Sequence, residues 1–347
     1  MRRTLVVVVA LAMLSLAAPP ALAADRCFGK KADIVGTSES ETIKGTNGND
    51  VIVGGDGRDK IVGRGGNDLI CAGSGHDQVR GNSGDDRIDG GPGADFILGH
   101  VGNDTLRGAA GGDVLIGSEG NDEMRAAGSS YDFMIGGAGD DIYDGGAGET
   151  DLASLEEATV GVTVDLAVTT PQITGEGLDT FIGTEGVVGS EFNDVLRGQD
   201  TIAEIGNGLF GLDGSDTLFG LDGNDIISGG AGNDNVGTGL DGGAGNDEIY
   251  GDDFGEFFFV QGGDDDLYGG SGDDYLNGGG NFTGPPAGDY ADGGPHVAGD
   301  ECTGVEDAST TECERFSRRA ARTTGQLSSD TSGSEWSSVF ERAMRVG

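Results

Sequence analysis

From Gly36 to Arg125 the sequence divides without a gap into ten blocks of nine residues, three of which read GTNGNDVIV, GGDGRDKIV and GRGGNDLIC in succession. Position 4 is glycine in nine of the ten blocks. Position 6 is aspartate in the same nine: Asp50, Asp59, Asp68, Asp77, Asp86, Asp95, Asp104, Asp113 and Asp122. The first block carries Glu39 and Glu41 at these two places. Position 8 is apolar in all ten, from Ile43 through Ile52, Ile61, Ile70, Val79, Ile88, Ile97, Leu106 and Leu115 to Met124. A fixed period of this kind marks a stacked repeat architecture, because one such unit cannot bury its apolar face alone.

Each position has a physical task. Glycines at positions 1 and 4 are expected to allow positive φ and close approach of neighbouring turns. The last three residues of a block place one β-preferring side chain inward between two that face out. A six-residue turn and a three-residue strand then stack coil on coil into a solenoid whose core is a single column of position-8 residues. With two blocks per coil, Asp50 falls beside Asp68 on one edge and Asp59 beside Asp77 on the other.

That stacking opposes itself electrostatically. Neighbouring strands sit about 4.8 Å apart, and two carboxylates at about 5 Å repel by roughly 3 kcal/mol at an effective dielectric near 20. The whole chain has 61 acidic and 20 basic residues, a formal charge of −41, and 71 glycines in 347 residues. Such a composition disfavours phosphate backbones and anionic membranes as partners, and suits cations. Calcium fits best, since it takes six to eight oxygens in flexible geometry, whereas magnesium holds its water more tightly. Zinc would want His or Cys, which the turns lack apart from His76 and His100.

The blocks resemble the RTX, or haemolysin-type, calcium-binding nonapeptide GGxGxDxUx. The resemblance implies a parallel β-roll with multiple calcium ions between turns on the same side, held by the position-6 aspartates and turn carbonyls. It also implies a chain largely unfolded without metal. Carried over, the nine aspartates above are calcium ligands. Asp132 and Asp141 join them from the next two blocks, the first of which, 126–135, has one extra residue.

The phase breaks at Gly148. Residues 148–188 read as a degenerate β insert, with alternation at Val160, Val162, Val164 and Leu166 and a GTEGVVGS stretch. A second, poorer array over 189–280 supplies Asp194, Asp216, Asp225, Asp234, Asp247, Asp265 and Asp274. Two four-residue insertions (Asn207 to Phe210 and Thr238 to Asp241) interrupt it, and Ala203 and Glu256 stand in two acidic places. Tyr250, Phe257, Phe258, Phe259 and Tyr268 form an aromatic cluster read as a coil edge or cap. The expected fold is all-β: a calcium-stabilised parallel β-roll in two arrays, the first with its N-terminal cap over 24–147. A disulfide-closed end and flexible tail come after them over 281–347, in which Trp336, Val339, Phe340 and Met344 have helical spacing.

Residues 1–23 read as a secretory signal: Met1-Arg2-Arg3, an apolar run from Leu5 to Leu16, and an Ala21-Leu22-Ala23 cleavage site. The run is too short to span a bilayer, so a secreted, extracellular protein is expected. Four cysteines in an oxidising setting suggest disulfides, by placement Cys27–Cys71 and Cys302–Cys313. No H-E-x-x-H, G-x-S-x-G or P-loop occurs, and the repeats leave no room for a catalytic domain. The reading is a secreted, non-catalytic calcium-binding protein whose folding is coupled to calcium. The alternatives are a calcium-rigidified adhesion or matrix protein with a cell-surface partner and, more remotely, a hydrolase with an unrecognised site.

Overall fold

The computed structural model describes residues 25–128, 130–146, 151–200, 206–232, 234, 240–244 and 247–250. It also places short strands at 266–268, 275–277, 290–292, 301–303, 307–308 and 315–316. Among the described residues the ordered elements are strands, and no helix is long and apolar enough to cross a membrane. Successive strands go alternately to opposite sheets, and each pairs in parallel with a strand one coil away. Ile52 faces Ile70, and Ile97 faces Leu115, 18 residues apart. Two nonapeptides therefore make one coil, as the period demands, and the fold is a parallel β-roll.

The strands are longer than three residues. Val51–Asp56, Gln78–Ser83 and their equivalents run six, because pairing continues round the corner to positions 2 and 3 of the next block, as in Gly55↔Gly73. Position 2 achieves this with a left-handed backbone at Gly55, Arg64, Asn82, His100, Ala109 and Ser118. Position 4 is also left-handed, for example Gly93 at φ 140°, where a Cβ would overlap the carbonyl oxygen of Gly75 in the previous coil. Position 1 is not left-handed. Its glycine is required by crowding: a Cβ on Gly90 would lie 2.5 Å from Asp95 Oδ2 and 3.0 Å from the Gly108 carbonyl oxygen.

The position-8 side chains form the core column, all ten buried, nine of them completely. The column continues through Met134, Tyr143, Ala153, Phe181, Val187, Leu196, Leu209, Leu218, Ile227 and Ile249. Burying each aliphatic side chain contributes about 1.5–3 kcal/mol. Where it passes the insert, Tyr143 and Phe181 stack with ring centroids 5.1 Å apart, and the Tyr143 hydroxyl accepts the N–H of Gly136.

One sheet of 14 strands runs from Thr42–Lys44 to Arg315–Phe316, through both repeat regions and through the insert. Leu152–Ser154 and Gly186–Val188 carry it across. The opposite side is divided. A nine-stranded sheet ends at Leu178–Ile182 and the antiparallel Gln172–Ile173, and a seven-stranded sheet starts at Thr163–Asp165. The expected alternation at Val160 to Leu166 thus appears as a three-residue strand with Val162, Val164 and Leu166 in the core.

At the N-terminal end, Arg26–Cys27 and Lys30–Lys31 form a two-stranded ribbon. Cys27 is bonded to Cys71, packs with Ala32 and Val53, and is followed by Phe28, over whose ring the Arg87 guanidinium lies at 4.0 Å. The second expected pair lies outside this description: Cys302 is placed as strand backbone and Cys313 is not among the described residues. Phe257, Phe258 and Phe259 also lie outside it.

Candidate metal centre

Each position-6 aspartate precedes its strand and points back under the turn, so that the two sheets are edged by ladders of buried carboxylates. One oxygen of each is spent on the fold. The N–H of Asp50 donates to Asp68 Oδ1 at 2.8 Å, Asp68 to Asp86 at 2.7 Å, Asp86 to Asp104 at 2.7 Å and Asp104 to Asp122 at 2.7 Å. On the other edge Glu41 donates to Asp59, Asp59 to Asp77, Asp77 to Asp95, Asp95 to Asp113 and Asp113 to Asp132.

In ten of them the second oxygen is left over. Oδ2 of Asp59, Asp68, Asp77, Asp86, Asp95, Asp104, Asp122, Asp141, Asp216 and Asp225 is buried with no hydrogen-bond partner. An orphaned buried acceptor of this kind costs about 1–3 kcal/mol, more when charged. Five of these atoms share the narrow space over the position-1 glycine with a backbone carbonyl of the next coil, for example Asp68 Oδ2 with the Gly81 carbonyl over Gly63 and Asp95 Oδ2 with the Gly108 carbonyl over Gly90. The donors that converge are all oxygens. Among the described residues no three His, Cys, Asp or Glu side chains cluster as a metal group, so each cradle is built from carboxylate and main chain together.

Burial raises the carboxyl pKa values along the ladders. Asp68 and Asp104 rise to about 6, Asp86, Asp95, Asp122 and Asp132 to about 7, and Asp141 and Asp216 to about 8. Loss of solvent is the largest cause in every case. The backbone N–H pulls the other way, and in most of them neighbouring carboxylates add to the rise. A hard divalent cation taking oxygen ligands suits these cradles.

The ladders begin and end on hydroxyl residues. Thr37 donates its N–H and its hydroxyl to the Glu41 carboxylate, Thr46 donates both to Asp50 Oδ2, and Ser190 caps Asp194 likewise. At the far end of the Asp50 ladder, the Thr174 hydroxyl bonds Asp179 Oδ2. The outermost carboxylates Asp50, Asp179 and Asp194 are thus satisfied within the chain, unlike the ten whose Oδ2 is left over.

Four ladder residues escape the nonapeptide register. Asp179 accepts the N–H of Asp141, Asp151 accepts that of Asp132, and Glu185 accepts that of Asp151. Asn207, not Ala203, holds the next rung and donates to Asp225 Oδ1. The edge beside the long sheet therefore continues from Asp132 through Asp151, Glu185, Asn207 and Asp225 to Asp247. On the third edge Val162 donates to Asp194, Asp194 to Asp216 and Asp216 to Asp234. Each missed residue keeps the pattern acid or amide, any residue, apolar, any residue: DLAS at 151, DTFI at 179, EGVV at 185 and NGLF at 207. A search for that tetrad, without the glycines, finds all four. Asp265 and Asp274 lie outside the described residues.

No curated protein matched the chain. The family model of the RTX calcium-binding nonapeptide repeat matches residues 35–70, 72–106, 98–128, 126–150, 209–239, 240–253 and 250–281, more than half of the chain. Its ion is calcium, and the oxygen-only cradles agree with it. The chain belongs to the RTX calcium-binding nonapeptide repeat family and is a calcium-binding β-roll protein.

Proposed function

We propose that this is a secreted, non-catalytic roll whose folding is coupled to calcium held by the interior ladder aspartates. The observation that carries the reading is the file of buried Oδ2 atoms without hydrogen-bond partners, five of which (Asp59, Asp68, Asp95, Asp216 and Asp225) share their space with a main-chain carbonyl. Uncompensated, they repel and resist burial. Calcium when bound supplies the opposite charge and six to eight oxygen contacts. The binding free energy then becomes folding free energy. Asp59 to Asp122, Asp132 and Asp141 are the ligands of the first array. Asp216, Asp225, Asp234 and Asp247 serve the second, with Asp265 and Asp274 extending it. Asp50 and Asp194 are the weakest members, because Thr46 and Ser190 already occupy their outer oxygens.

Secretion rests on the basic, apolar and Ala21-Leu22-Ala23 segments in order, and an oxidising destination agrees with the Cys27–Cys71 bond. Absence of catalysis rests on the use of the acidic residues: each ladder pair recurs in identical surroundings, which suits repeated ion binding rather than one reaction centre. Equilibrium dialysis against calcium tests the ligand assignment. Dissociable calcium in a multiple that falls when Asp86 and Asp95 are changed to Asn supports it. Unchanged stoichiometry in that variant refutes it. A secreted chain recovered from the medium has its N-terminus at Ala24.

A further inference from the structure

Outward-facing side chains of a solenoid are normally exposed, and away from the N-terminal cap examples on two of the three sheets of the roll are. Ile142 and Ile182 on the nine-stranded sheet are 37% and 41% exposed, and Val195 on the seven-stranded sheet is 40% exposed. On the long sheet the equivalent positions differ in kind. Phe133 and Leu152 flank core residues Met134 and Ala153, yet are 2% and 0% exposed, as is Val188 at 0%. With Val114, Ile135, Phe210 and Ile226 they form a second buried apolar cluster, separate from the core column. Its described members are the sheet's own outer face with the turn residues Tyr131 and Leu212. This face is therefore covered.

The stripe from the Phe96 strand to the Ile226 strand crosses seven strands, about 29 Å at 4.8 Å per strand. The last described strand, Arg315–Phe316, is the edge of the same sheet, four strands beyond that of Ile226. Beyond it the chain continues for 31 residues. Of these, the 19 residues 317–335 reach up to about 60 Å when extended, enough to return along the whole stripe. The segment after them carries Trp336, Val339, Phe340 and Met344, one apolar face at helical spacing. Arg318, Arg319 and Arg322 in the connecting stretch complement a strongly acidic roll. We propose that the apolar outer face of the long sheet is the docking site for the chain's own C-terminal segment, with Trp336 and Phe340 as its anchors.

Trp336 is the chain's single tryptophan, so its fluorescence reports the contact directly. In the calcium-loaded mature chain Trp336 is expected to be shielded from acrylamide. Phe133→Asp or Val188→Asp should raise its quenching several-fold, and Ile182→Asp on the exposed sheet should leave it unchanged. Trp336 as quenchable in the parent as in the face variants would overturn the proposal. So would shielding that disappears on dilution, which would make a second copy the occupant. Far-UV circular dichroism of each variant separates loss of docking from failure of the roll to form with calcium. Should the face variants not fold, truncation after Thr323 decides: increased binding of an apolar dye supports the docking, and unchanged binding refutes it.

Discussion

The N–H of Asp50 donates to Asp68 Oδ1 at 2.8 Å, while Asp68 Oδ2 on the same carboxylate is buried without a hydrogen-bond partner. One side chain thus does two things. It registers its coil against the previous one, and it holds an unspent negative oxygen beside main-chain carbonyls. Removing the charge and removing the acceptor are therefore separable changes.

Asp95→Asn keeps an acceptor for the Asp77 N–H and removes the charge. Without calcium it should stabilise the roll by about 1 kcal/mol, through relief of desolvation and like-charge repulsion. With calcium it should destabilise it and weaken binding. Residual β signal of parent and variant in EDTA, and their thermal midpoints in calcium, check the reversal of sign. Asp95→Ala, which also loses the registering bond, should destabilise in both conditions.

Stability of the metal-free chain should fall as pH rises. Asp86, Asp95 and Asp122 titrate near 7 in the folded state against 3.8 as the ordinary value, so the folded state holds more protons between these limits. Stability is then fully present below about pH 4 and is lost as pH rises through about 7. The β signal in far-UV circular dichroism of the metal-free chain should decrease in the order pH 4, 5.5 and 7.5. Calcium should reverse the trend, because its ligands must be deprotonated.

The two left-handed positions respond oppositely to substitution. Gly93→Ala drives a methyl into the Gly75 carbonyl, with a cost of several kcal/mol expected from a clash plus strain. Ala109 has φ 83°, so Ala109→Gly relieves strain and should raise the calcium-loaded midpoint by about 1 kcal/mol equivalent. Differential scanning calorimetry in calcium measures both.

Reducing Cys27–Cys71, which closes a separation of 44 residues, should release up to about 4 kcal/mol of chain-entropy stabilisation. The cap of Cys27, Ala32 and Val53 packs on the outward residues Val51, Leu69 and Cys71 of the first strands of the nine-stranded sheet. Amide exchange should therefore accelerate over residues 30–71 before it does near Leu115. Uniform acceleration along the first array would contradict a local cap.

The column from Ile43 to Met124 and the aspartate ladders were legible because both derive from an unbroken period of nine. The rungs Asp151, Asp179, Glu185 and Asn207 were not, since their separations of 19, 38 and 34 residues from the rungs they join, and 22 from Glu185 to Asn207, break the period while the strand tetrad survives. A solenoid constrains what stacks, namely the inward apolar residue and the acceptor before it, and tolerates loops between. Arg64, Asn82 and His100 conceal a left-handed position that glycine would have announced. Burial of the long sheet's outer face is illegible by pattern, because its apolar positions 7 and 9 read as ordinary strand residues.

Far-UV circular dichroism of the mature chain at neutral pH tests the coupling of folding to calcium most directly. In EDTA the spectrum should be that of an unordered chain, and millimolar calcium should convert it cooperatively to β structure, while equal magnesium should not. A chain with the same β spectrum in EDTA, magnesium and calcium would contradict that coupling.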